Sequence, residues 1–289
     1  SITPGINKVG AYINDIDLKI LNKEQAKEIK NILNQFGVVF IKNQNLDPES
    51  YQKFAKDIGQ PVVYPRLKGL DIKFPFINVI ERKPSDKNLS FGSSWLHQDT
   101  SYLANDRPRY TMLMGIEIPT GQGNTIFSSG FNAYEKLPQD IKDKIKSATG
   151  VFSSAGPIAV TRLEREKEMG IKSSESMEAE HPIVKTVNGK KTLYVSPGHL
   201  IKIKNVKEED AEFLKNYLIK HVNKEEFIFS YEWSKNDICL WDNLSILHMA
   251  SEIKNCKRVM HRITIKSVSY THLRAHETEA DLVCRLLLE

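Results

Sequence analysis

The apolar segments of this chain are short. Val38-Val39-Phe40-Ile41, Phe76 to Glu81, Tyr110 to Ile118, Gly150 to Ser153, Phe227 to Trp233, Ile238 to Trp241 and Val259 to Ile265 are strand-length runs. Gly, Pro, Asn or Asp punctuate the chain between most of them, as turns require. Ile183 to Val187 and Lys191 to Val195 flank Asn188-Gly189, a dipeptide that accepts the left-handed backbone of a tight hairpin. Helical spacing is confined to a few places. Ala26, Ile29, Ile32, Leu33 and Phe36 follow a capping Asn22 and stop at Gly37, and Tyr51, Phe54, Ala55 and Ile58 follow Asp47-Pro48 and stop at Gly59. Phe131 to Leu137, Pro138 to Lys146 and Lys207 to Val222 also pattern as helices, and residues 10 to 14 as a short first strand. Many short strands with helices at the start and in the middle do not make the alternation of a parallel α/β sheet. They indicate a mainly β domain, a sandwich or barrel, with flanking helices.

At 289 residues the chain is long enough for one large core, and it shows no internal repeat or interdomain linker. The formal net charge of +5 is spread along helix faces without a lysine or arginine block, which favours solvated surface over a nucleic-acid footprint. No apolar run approaches membrane-spanning length. The start, Ser1-Ile2-Thr3-Pro4-Gly5, lacks both Met and a signal pattern and reads as a trimmed start of a cytoplasmic protein. Val268 to Thr278 and Leu282 to Glu289 resemble translated sequencing-library adapter, so the expected domain is 1–267, with 268–289 a non-native tail. Without that tail the net charge is nearer +7 and the cysteines are Cys239 and Cys256, which have no disulfide framework, as in a reducing compartment. An amphipathic C-terminal helix is the other reading of that tail.

Chemistry concentrates at Trp95-Leu96-His97-Gln98-Asp99. On extended backbone, His97 and Asp99 project from the same side. An imidazole and a carboxylate together supply two of the three facial ligands that hold non-haem Fe(II), and a distant histidine completes the set. His248, five residues after Trp241-Asp242-Asn243, is the candidate. Alone, a His-x-Asp pair also arises at a surface or around a core histidine. Here Arg258 and Arg262 follow His248 at ten and fourteen residues, and Thr125 follows the pair in Gly123-Asn124-Thr125-Ile126-Phe127.

In this order, from about Gly10 to Lys266, the chain resembles the taurine dioxygenase (TauD/TfdA) family of Fe(II)- and 2-oxoglutarate-dependent oxygenases. The resemblance implies a double-stranded β-helix, or jelly roll, with helices packed outside. It implies His97, Asp99 and His248 as iron ligands, Arg258 and Thr125 as the grip on the far carboxylate of 2-oxoglutarate, and O2 as co-reactant. Related halogenases lack the carboxylate ligand, so Asp99 favours oxygen insertion. The family's arginine at Arg262 binds an anionic substrate, which suggests an anionic small molecule here, and the alternative for Arg262 is a salt bridge in the barrel wall. Tyr64, His199 and Trp95 are further pocket candidates, with core packing favoured for Trp95. Pro61 and Ser93 stand where taurine dioxygenase has a substrate-binding histidine and asparagine, which argues against taurine. His221 and His261 read as structural, and Lys83 to Ser94 as a loop beside the metal.

The expected activity is hydroxylation of a small anionic compound, with succinate and CO2 as coproducts and fragment release if the carbon adjoins a heteroatom. The alternatives are a biosynthetic hydroxylase acting on a stable carbon, or a jelly-roll metal- or small-molecule-binding protein without turnover. Neither membrane nor nucleic-acid partners are expected, and a homo-oligomer is compatible with the sequence.

Overall fold

The computed structural model describes residues 1–267 apart from 65, 106, 169 and 171–174, so the tail lies outside the described residues. Two β-sheets face one another, with helices on the outer face of each. The larger sheet runs Ile2–Pro4, Ala11–Ile13, Val38–Ile41, Ile238–Asp242, Tyr110–Glu117, Arg258–Lys266 and Gln60–Val62, with Asn78–Arg82 also paired to Arg258–Lys266. The smaller sheet places Thr125–Ser129 between Ile228–Tyr231 and Ile246–Ala250. Leu200–Lys204, Thr149–Ser153 and Glu178–Pro182 form a third, three-stranded sheet. Apart from Ala11–Ile13 against Val38–Ile41, the pairings are antiparallel, as in the expected jelly roll.

The larger sheet is buried on both sides, which is why its strands read as unbroken apolar runs. Val39, Ile41, Met112, Met114, Leu240, Ile263 and Ile265 face the helices Lys23–Phe36 and Pro48–Ile58, meeting Ile29, Leu33, Tyr51 and Phe54. The alternate residues Val38, Phe40, Leu113, Cys239, Trp241 and Met260 face inward and pack against Phe127, Phe229 and Tyr231 of the smaller sheet. A third cluster joins the smaller sheet to the helix Glu208–Val222 through Leu214, Leu218 and Val222. Because side chains alternate along a strand, Arg258 and Arg262 share the inward face with Met260, and all three are buried.

The ends of the elements follow local chemistry. Asn22 and Gln25 make a reciprocal capping box at the first helix. Gly37 stops that helix at φ +80° and leaves room for Ile246, which a Cβ there would strike at 2.7 Å. The Asn188-Gly189 turn has φ of 49° and 78°, as its sequence requires. Several strands lack a clear sequence signal, among them Glu178–Pro182, Leu200–Lys204 and Ile246–Ala250, the last of which carries His248. The charged sequence of residues 160–180 leaves a solvated helix and a partly ordered excursion open; Ala159–Glu168 is helical. Among the described residues no helix is long and apolar enough to cross a membrane.

Candidate metal centre and adjoining pockets

The Ile246–Ala250 strand and the segment around His97 meet between the two sheets. His97 and His248 exchange both main-chain hydrogen bonds, at 3.0 and 2.9 Å, and their rings lie 4.3 Å apart. The extended stretch expected for His97 and Asp99 is therefore a single bridge residue followed by a turn. Asp99 still comes to the same side, with Oδ1 3.5 Å from His97 Nε2 and 3.6 Å from His248 Nε2. Donor atoms of the three residues all lie within 4.8 Å of one another.

The other carboxylate oxygen is occupied. Asp99 Oδ2 accepts from Arg262 Nη2 at 2.8 Å and from the Thr111 hydroxyl at 2.7 Å, so Oδ1 is left facing the imidazoles. His97 Nδ1 lies 2.9 Å from the Trp95 carbonyl, a contact that puts the proton on Nδ1 and a lone pair on Nε2. Burial opposes charge on Asp99, but Arg262, His248 and His97 outweigh it and hold its carboxyl well below the usual range. Burial lowers His248 to about 3 despite Asp99, keeping the ring neutral as a ligand must be. Donors on adjacent positions of an ion bonded at about 2.0–2.2 Å stand about 3 Å apart, so this trio fits a divalent metal after a small closure.

Two further residues, Asn243 and Thr111, hold Asp99 from behind the donor trio. Asn243 Oδ1 accepts from the Asp99 amide at 3.3 Å and from Trp241 Nε1 at 3.1 Å, while its Nδ2 donates to Thr111 Oγ1 at 2.9 Å. Thr111 then donates onward to Asp99. The sequence motif flags Asn243 by its place beside Trp241; Thr111 has no signal beyond its inward register. Asn243→Ala is expected to weaken divalent-metal binding by about 10- to 100-fold while leaving the fold intact, as measured by metal titration beside circular dichroism.

The turn after Asp99 is pinned from behind. His181 Nε2 lies 2.8 and 2.9 Å from the carbonyls of Ser101 and Leu103, and its Nδ1 accepts from Arg107 at 2.8 Å. Burial, then Arg107 and Lys185, push the His181 imidazole down to about 4. A folded pKa below the unfolded value of about 6.5 gives stability that is present above pH 6.5 and lost as pH falls toward 4. The expected loss at pH 5 is about 2 kcal/mol relative to pH 7. His181→Gln retains a donor and an acceptor, so urea unfolding at the two pH values should differ less for that variant.

Beyond the trio lies a pocket lined by Thr125, Leu113, Trp241, Arg258 and Arg262. Arg258 is 6% exposed, and its Nε and Nη2 have no hydrogen-bond partner among the described residues. Burial lowers its pKa to about 10. No carboxylate among the described residues is paired with it, although a buried guanidinium without an anion is costly. Thr125 Oγ1 accepts from Trp233 Nε1 at 2.9 Å, which leaves its own hydroxyl proton to donate. Gly123, at φ +80°, lets the arginine pass: a Cβ there would stand 3.0 Å from Arg258 Cδ and Nε.

A second pocket opens on the other side of His97 and Asp99, lined by Tyr64, Arg66, Tyr102, Ile158 and His199 among others. The Arg262 guanidinium lies over the Tyr64 ring at 4.7 Å, and its Nη1 has no hydrogen-bond partner. Arg262 is therefore both a salt-bridge partner of Asp99 and a lining of the metal pocket. His199 is buried, with Nδ1 2.7 and 2.9 Å from the hydroxyls of Ser101 and Ser196 and its ring 5.8 Å from His97. Phe91 borders both pockets and a third cavity that also reaches Arg258. Its loop is tied down by Ala250 N donating to Gly92 O at 3.0 Å and by Ser90 and Ser93 bonding Glu252.

Trp95 is 40% exposed, which corrects both expectations for it, since the turn into His97 directs it outward. Ser93 is engaged by Glu252 and lines neither pocket beside the donor trio. His221 Nε2 bonds the Ala133 carbonyl at 2.7 Å, His261 lies on the strand face opposite Arg258 and Arg262, and neither histidine lines the two pockets beside the donor trio. Arg66, Tyr102 and Phe91 escaped sequence reasoning because they lie in irregular segments where periodicity carries no direction.

Residues 1–264 match the model of the taurine catabolism dioxygenase TauD, TfdA family. The chain is 30% identical over 271 residues to an alkylsulfatase of Acinetobacter baylyi, covering 89% of this chain and 82% of that protein. It is 26% identical over 277 residues to an α-ketoglutarate-dependent sulfate ester dioxygenase of Pseudomonas putida, covering 91% and 88%. A taurine dioxygenase from Burkholderia xenovorans has the same fold, with a TM-score of 0.73 at 24% identity over 92% of this chain and 90% of that one.

Proposed function

The chain belongs to the TauD/TfdA family of α-ketoglutarate-dependent dioxygenases, and from that premise we propose that it hydroxylates a small anionic substrate beside a heteroatom. The observation that supports this most is the buried Arg258, whose Nε and Nη2 lack protein partners, in the same pocket as His97, Asp99 and His248. The relatives named for sulfate esters, sulfonates and 2,4-dichlorophenoxyacetate share an anionic substrate, and Arg262 supports the same class here.

In this reading His97 Nε2, His248 Nε2 and Asp99 Oδ1 hold Fe(II). When bound, the iron supplies the redox chemistry that couples oxidative decarboxylation of 2-oxoglutarate by O2 to oxygenation of the substrate. Arg258 clamps the far carboxylate of 2-oxoglutarate through charge-assisted hydrogen bonds, and Thr125 donates its hydroxyl to the same group. Arg262 fixes Asp99 through Nη2 and presents Nη1 to the substrate anion. Tyr64 covers the guanidinium and His199 walls the substrate pocket. Phe91 separates the substrate from 2-oxoglutarate and keeps water from both. Hydroxylation next to a sulfate-ester or sulfonate group gives a product that falls apart, releasing the anion.

The test is substrate-dependent succinate formation from 2-oxoglutarate with Fe(II) and ascorbate, over small sulfate esters, sulfonates and aryloxy acids. Succinate above the substrate-free rate with at least one class supports the reading; none with any of them overturns it. The same proposal takes 1–267 as one domain of a cytoplasmic protein and 268–289 as non-native sequence. Resequencing the locus from an independent library and recovering the same tail would refute the last part.

A further inference from the structure

The substrate pocket is lined by one arginine, Arg66, and a second cation, Arg262, lies in the adjoining metal pocket. Arg262 is bound to Asp99 and covered by Tyr64, which lines the substrate pocket. Arg66 is at the other end, half-buried, with Nη1 donating to the Tyr102 hydroxyl at 3.2 Å and its guanidinium 5.5 Å from the centre of the Tyr102 ring. Tyr102 is itself 7% exposed, packs against His199 at 5.2 Å and lines the pocket together with Tyr64. A buried ring therefore holds Arg66 in place against the pocket. No carboxylate among the described residues forms an ion pair with Arg66. Between the two cations lie Tyr64 and Tyr102, with Phe91, Ile158 and Ala159 completing an apolar wall. The contacts place Tyr102 against Arg66 and Tyr64 against Arg262, so the two rings stand between the cations.

We propose that Arg66 is a second anion contact, and that the preferred substrate is a dianion. It is a sulfate ester or sulfonate held at Arg262, with a carbon skeleton along the apolar wall and a carboxylate at its far end on Arg66. This rests on the oxygenase reading above and adds to it the far end of the substrate. A monoanion of the same length leaves Arg66 facing only solvent and the Tyr102 hydroxyl. The planar fork of Arg66 suits a carboxylate, and fixing both ends restricts which carbon faces the metal.

The test uses the Fe(II)-loaded enzyme with saturating 2-oxoglutarate and matched probes: hexyl sulfate against 6-(sulfooxy)hexanoate, and the butyl and octyl pairs. The carboxylated member of at least one pair is expected to have kcat/KM about 10-fold or more higher, expressed in KM. Arg66→Gln is expected to bring that ratio close to one, and Arg66→Lys to restore part of it. Tyr102→Phe, which releases Arg66 without removing its charge, is expected to lower the ratio less than Arg66→Gln does. Hexyl sulfate turnover with a ratio of one in the wild type, or a ratio that Arg66→Gln leaves unchanged, overturns the second contact and leaves the oxygenase reading standing. Absence of succinate from every sulfate ester, sulfonate and aryloxy acid overturns both.

Discussion

Asp99→Ala is expected to reduce substrate-dependent succinate formation by about 10³-fold or more, because it removes the only carboxylate from the three-residue donor set. It also strands a cation. Arg262 is 4% exposed and its Nη2 is committed to Asp99, so the single variant leaves a buried guanidinium without its counterion. Removing one member of such a pair costs about 3–5 kcal/mol, and the variant should melt lower for that reason alone. The two effects separate in a double variant. Asp99→Ala with Arg262→Met replaces the charge by an apolar chain of similar length, and is expected to recover most of the stability and none of the turnover. Recovery of turnover in the double variant would show that Asp99 serves the fold and not the metal.

Arg258→Met is the second large effect. Each charge-assisted hydrogen bond to a carboxylate contributes about 1.5–3 kcal/mol, so loss of a bidentate grip is expected to raise the 2-oxoglutarate KM by about 100-fold or more. Stability should rise or stay level, because burial already depresses the Arg258 pKa to about 10 and no carboxylate among the described residues offsets its charge. This combination of a weaker cosubstrate and an unweakened fold distinguishes a ligand-directed arginine from a structural one. A variant that destabilises the protein while leaving the 2-oxoglutarate KM unchanged would assign Arg258 to the barrel wall. Arg258→Lys keeps the charge but loses the fork, and is expected to fall between the two.

Residue spacing made the inward face of the last strand legible. With a period of two, Arg258 and Arg262 had to point the same way, and they do. Both early helices were readable from their caps, because Asn22 and Asp47 accept from backbone amides three residues on. The Ile246–Ala250 strand was less visible. Its sequence mixes Ile, Leu, His, Met and Ala, and what makes it a strand is pairing with Thr125–Ser129, a partner more than a hundred residues away. The backbone of His97 to Asp99 was expected as a strand and is a bridge leading into a turn, with Thr100 at φ 54°. Dihedral turns of this kind depend on the His97–His248 pairing, which local sequence does not encode. Thr111 and Asn243 likewise hold Asp99 by hydrogen bonds that exist only after three separate segments have met. The substrate pocket was the least readable part, since Arg66, Phe91 and Tyr102 lie where no periodicity assigns a direction.

The reciprocal backbone pairing of His97 with His248 ties two remote stretches at a single rung. A slip of one residue on either side would send one ring to the opposite surface. On the proposed metal role, uptake then acts as a proofreading step: a chain whose sheets closed out of step has no place to take the ion, and one that closed correctly is rewarded by mass action. On the proposed iron role, iron supply and quality of folding become one quantity for this enzyme, and starvation for the metal would be felt first as shortened protein lifetime.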